Sequence, residues 1–119
     1  MTLPVRSLRI GPYDFKIEEI APDSEDWGEC DYDNHAIRFR DRWANRNQAA
    51  ECALHECLHG LLYVSGYSTD EKEEERLVTL LSIQLASFIR DNPEFIDWLI
   101  KSLPTKKKRK RNQRGSGRR

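Results

Sequence analysis

The hydrophobic period changes once along this chain of 119 residues, and that change constrains the fold more than any other feature. From about Asn47 onward, Ala50, Leu54, Cys57, Leu58, Leu61 and Leu62 recur at intervals of three and four, the spacing of one face of an α-helix. Before that point the apolar residues alternate instead. In "YDFKIEEI", Tyr13, Phe15 and Ile17 face one way and their polar neighbours the other, as a half-buried strand requires. Strands gathered in one part and helices in the other predict an α+β fold.

The elements follow from local signals. "VRSLRI" and "YDFKIEEI" are two strands joined at the Gly11-Pro12 turn, and "APDSED" (21–26) is a loop. "WGECDYDNHAIRF" holds two more short strands around Asp33-Asn34, with Ile37 and Phe39 on one face. The expectation is a small, mostly antiparallel sheet of three to four strands. A first helix runs from about Asn45 or Asn47 to Val64 and stops at Ser65-Gly66. A second starts near Ser68-Thr69-Asp70, where Ser68 with Glu71, or Thr69 with Lys72, offers part of a capping box and the acids suit a helix N-terminus. It reaches Asp91. Asn92-Pro93 then punctuates, and "PEFIDWLIKSL" forms a short third helix packing through Phe95, Trp98 and Leu99. One domain, residues 1–104, is expected to end at Pro104.

Residues 105–119 contain nine Lys+Arg, no acid and no apolar side chain, so they are expected to form a disordered polybasic tail. The formal net charge of zero conceals this: residues 1–104 carry 11 basic and 20 acidic residues. Three readings are open for such a tail: salt-dependent, sequence-independent contact with nucleic acid, docking on an acidic partner, or a solubilising role with no partner. No aromatic residue interleaves it, which argues against base stacking. Neither a signal-peptide stretch nor 18 consecutive apolar residues occurs, and Cys30, Cys52 and Cys57 show no disulfide spacing. The expected location is the cytoplasm, with reduced thiols and no membrane contact.

Inside the first helix, His55-Glu56-Cys57-Leu58-His59 spells H-E-x-x-H, a pentapeptide that shuffling this composition rarely produces. Histidines four apart lie on one helix face, so both imidazoles can reach one ion. Glu56, one position round, stands beside the ion. There a carboxylate can take a proton from a metal-held water and pass it to a leaving amine. Leu54, Leu58, Leu61 and Leu62 surround the pair, and buried histidines need partners.

Two histidines are one ligand short of a catalytic zinc site. His35, beside the Asp33-Asn34 turn, reads as a surface turn residue, and no third histidine completes a metzincin pattern. The remaining candidates are Asp70, Glu71, Glu73, Glu74 and Glu75. The large apolar face of the second helix (Leu77, Leu81, Leu85, Phe88) centres near Glu74 and Asp70. A stripe of smaller residues, Val78, Thr79, Ser82 and Ala86, lies in line with Glu75 and would let two helices approach closely. The helical wheel favours Glu74 and the stripe favours Glu75.

"LHECLHGLL" and "EERLVTLLSIQLASFIRDNPEF" together resemble the small zincin-type metallopeptidase-like proteins encoded by phages and prophages, related to the ImmA/IrrE family. Glu75, Val78, Thr79, Leu81 and Ser82 match the register of that family's ligand helix, with Val78 and Thr79 as departures from its small residue and Asn. The resemblance covers roughly residues 37–95. It implies a minimal zincin domain in which His55, His59 and Glu75 hold Zn²⁺ and Glu56 is the catalytic base. The implied activity is hydrolysis of a peptide bond in a peptide or protein substrate, in a bacterial host's cytoplasm. The alternative is a non-enzymatic, zinc-containing phage accessory protein that acts through its basic tail. The groove beside the helix is expected along the strand at residues 37–40.

Overall fold

Short strands form first along the chain, because turn residues interrupt each apolar run after a few positions. The computed structural model describes residues 3–40, 43 and 45–104. β1 (Ser7–Ile10) and β2 (Tyr13–Glu19) make a hairpin with Gly11 at φ 60°. β3 (Gly28–Asp31) and β4 (Ala36–Phe39) make a second. The Asp31 carboxylate accepts from the backbone and side-chain N–H groups of Asn34 at 3.2 and 2.8 Å, which closes that turn. His35 leaves it at φ 47°.

The strand order is β1-β2-β4-β3; β2 and β4 run parallel, and the other two pairs are antiparallel. The sheet is therefore mixed, which corrects the expectation of a mostly antiparallel one. Residues 20–27 carry the chain past one strand position, and β4 then turns back into the gap. Burial explains the choice. Ala36, Ile37 and Phe39 of β4 are all buried, whereas "GECD" in β3 carries two acids that suit an edge strand. Ile10, Phe15, Ile37 and Phe39 form the core, packed by Cys52, Ala53, Cys57 and Val64 of the first helix.

That helix, α1 (Arg46–Ser65), is capped at its start by Asn45, whose side chain accepts from the Gln48 N–H at 2.8 Å. Gly66 ends it at φ 80°, in the left-handed conformation glycine tolerates best. Gly60 lets α1 lie close on β1: a Cβ there would come 2.9 Å from Ile10 Cδ1. α2 (Glu71–Asp91) starts on Asp70, whose carboxylate accepts from the Glu73 N–H at 2.8 Å. The cap is thus Asp70 with Glu73, one or two residues later than Ser68 or Thr69.

The chain divides into two compact units, one up to Ser87 and one from Phe88. In the second, Asn92 donates to the Phe88 carbonyl at 2.9 Å and α3 (Pro93–Ser102) follows. Phe95 meets Phe88 and Trp98 at ring separations of 6.0 and 5.7 Å, but Trp98 remains largely exposed. The expected polybasic tail, 105–119, lies outside the described residues. Among those residues, no helix is long and apolar enough to cross a membrane. The architecture is a small α+β fold with a four-stranded mixed sheet and three helices.

Candidate metal centre

His55 and His59 sit one turn apart in α1, and helical periodicity turns both toward the start of α2. The Glu75 carboxylate bridges them. Its Oε1 lies 2.8 Å from His55 Nε2 and its Oε2 lies 2.9 Å from His59 Nε2. One ligand atom from each of the three residues falls within 4.8 Å of the others, so the group could hold a metal ion. Three ligands of one tetrahedral ion stand roughly 3.3 Å apart, so a set already within 4.8 Å need shift by only about 1–2 Å to hold one. Glu75 is the exposed member, at 57% against 19% and 12% for the histidine side chains, which leaves an open side for a fourth ligand.

Each of the five acidic candidates at the start of α2 has a distinct position. Asp70 caps the helix. Glu71 lines the cleft. Glu73 pairs with Arg76 at 3.0 Å. Glu74 reaches the other ring nitrogen of His59, Nδ1, at 2.6 Å, and only Glu75 joins the cluster of three. Val78 and Ser82, on the small-residue stripe, are buried, while Leu81 and Leu85 of the larger apolar face are exposed. His35 lies against the rings of Tyr13 and Phe15 at 4.3 and 5.1 Å and takes no part.

Glu56 is buried, with 7% of its surface exposed. Burial pushes its carboxyl up to about 7; Glu75, Asp26 and Glu29 add to the rise and His59 opposes it. A carboxyl poised there can both accept and return a proton near neutral pH. Burial also lowers the His55 pKa, against the pull of Glu75, which favours the neutral imidazole a metal binds. Cys30 and Cys52 are pushed up to about 12 and Cys57 is raised, in each case chiefly by burial, so these thiols stay protonated and are poor ligands.

Clefts of about 380 and 760 Å³ share Asp26, Gly28, His55, Glu56 and Glu75. The strand beside them is β3, not the segment at residues 37–40, because β4 is interior to the sheet. Gly28 is a site residue the sequence did not flag. A Cβ at that position would stand 3.0 Å from Cys52 Sγ and 3.1 Å from both Cγ and Oε2 of Glu56. Tyr32 was missed as well, and its hydroxyl donates to Glu74 Oε2 at 3.0 Å. Neither could be found by periodicity, since both matter only through contacts with α1 and α2. No protein-family model matches the chain, and no curated protein or solved structure does.

Proposed function

We propose that this protein is a zinc-dependent metallopeptidase with a minimal zincin-like domain, of the phage and prophage kind related to the ImmA/IrrE family. The observation that carries the reading is the convergence of both Nε2 atoms of the H-E-x-x-H helix on the two oxygens of Glu75. A zinc ion held by His55, His59 and Glu75 supplies a Lewis acid that polarises a carbonyl and acidifies a water. Glu56, beside that site, would accept a proton from the attacking water and return it to the departing amine nitrogen. Burial raises this carboxyl above the ordinary range in the metal-free chain, which suits a group that must both accept and return a proton. β3 is an edge strand among the described residues and lines the cleft, a place where an extended peptide could align along its free side. The substrate is thus a peptide or protein segment in extended conformation.

The test combines metal content with turnover. Wild-type protein purified without chelator is expected to carry about one equivalent of zinc and to cleave a peptide library. Glu56→Gln should keep the zinc and lose cleavage by at least about a hundredfold. Full cleavage by that variant removes Glu56 from the mechanism. A metal-bearing wild type with no cleavage, but with salt-dependent DNA retention lost on deleting 105–119, would favour the accessory-protein alternative.

A further inference from the structure

The strongest feature left unassigned is the carboxylate of Glu74, which is less exposed than Glu75 (20% against 57%) and bonded from two sides. One oxygen, Oε2, takes both His59 Nδ1 at 2.6 Å and the Tyr32 hydroxyl at 3.0 Å. The two nitrogens of an imidazole point away from each other, so a carboxylate at Nδ1 cannot share an ion bound at Nε2. Tyr32 is itself held. Its ring stacks on Tyr63 at 4.7 Å with 4° between the planes, and Tyr63 lies one turn beyond His59 in α1.

We propose that Glu74, anchored by Tyr32, is a positioning residue for the metal centre: it holds the proton of His59 on Nδ1 and aims Nε2 at the ion. The assignment rests on the zinc reading above and extends it from three ligands to the support of one. The chain that does so runs from the turn after β3 through Tyr32 to Glu74 of α2 and His59 of α1. Tyr32 donates into the oxygen that meets His59 Nδ1, so that oxygen is fixed as an acceptor, and a flip of the imidazole would break its contacts with both Glu74 and Glu75. Carboxylate support behind a metal-bound histidine fixes tautomer and orientation, and its loss characteristically weakens metal binding by about 10–100-fold. Glu74 and Glu75 are neighbours in sequence with opposite assignments: Glu75 binds the ion and Glu74 binds the ligand.

The experiment is zinc affinity by chelator competition on the full chain, with Co²⁺ absorption as a monitor of coordination. Wild type is expected to bind one ion. Glu75→Ala should lose it, or bind at least about a thousandfold more weakly, with an altered Co²⁺ spectrum. Glu74→Ala should keep the stoichiometry and the Co²⁺ spectrum while binding about 10–100-fold more weakly. Glu74→Gln, whose amide oxygen still accepts, should recover part of the loss, and Tyr32→Phe should cost about fivefold. In ¹⁵N spectra of the zinc-loaded wild type, His59 should carry its proton on Nδ1 and its metal on Nε2. Wild-type affinity in Glu74→Ala overturns the proposal, as does metal on Nδ1. Loss of stoichiometry in Glu74→Ala equal to that in Glu75→Ala overturns it too, by making Glu74 a ligand. A wild type that binds no metal overturns the zinc reading and this proposal together. The variants, by contrast, can defeat this proposal while zinc binding stands.

Discussion

The two faces of α2 differ in how far they are buried. The face with the larger side chains, Leu81, Leu85 and Phe88, stays 36–47% exposed. On the stripe with smaller ones Val78 is completely buried and Ser82 is 3% exposed, while Ala86 is half-buried and Thr79 exposed. The site accounts for the difference. Glu74 and Glu75 are bonded to the α1 histidines at 2.6–2.9 Å, and these contacts draw the stripe in line with Glu75 inward. Helix orientation here answers to polar convergence as well as to apolar area.

The sharpest way to break the comparison is to remove the polar contact on one face and an apolar side chain on the other. Glu75→Ala should abolish metal binding, by a factor of about a thousand or more. Leu81→Ser should leave metal affinity unchanged within about twofold, because the side chain is already 43% exposed. Equal losses in the two variants would show that the leucine face also orients the helix.

The buried acid on α1 gives a slightly smaller effect with a definite sign. Glu56 titrates near 7 when folded and near its ordinary 4.5 when unfolded. Between those values the folded chain binds more protons, so stability is highest below pH 4.5 and falls as pH rises through 7. In chelator-treated protein this contribution should amount to about 3 kcal/mol, with Glu56→Gln losing the dependence and becoming the more stable form at pH 8. Urea unfolding at pH 5 and pH 8 checks it, and parallel pH profiles for the two proteins would refute the burial argument.

Packing on α2 supplies the next test. Val78→Ala opens a cavity at a fully buried position and should cost about 2 kcal/mol in denaturant unfolding, against at most about 0.5 kcal/mol for Leu81→Ala. The smallest effects belong to the helix starts. Asn45→Ala and Asp70→Ala each remove a 2.8 Å cap bond, and each should lower stability by about 1 kcal/mol. A much larger loss of metal affinity from the Asp70 change would mean that the start of α2 is positioned by its cap as well as by Glu75.

Both helix periods, the stops at Gly66 and Asn92-Pro93, a sheet of three to four short strands and the two histidines of H-E-x-x-H are local patterns, set by residues within a turn or two of each other. The sequence determined these by itself, together with a short list of acids able to complete the ligand set. Only the tertiary structure decided the parallel pairing of β2 with β4, because strand order depends on which strand is apolar enough to be enclosed. It also placed Gly28 against Glu56 and Tyr32 against Glu74, contacts between residues 28 and 42 positions apart. Finally, it separated Glu74 from Glu75. Adjacent residues in an α-helix project about 100° apart, and which ring nitrogen each carboxylate meets depends on how α2 is rotated against α1.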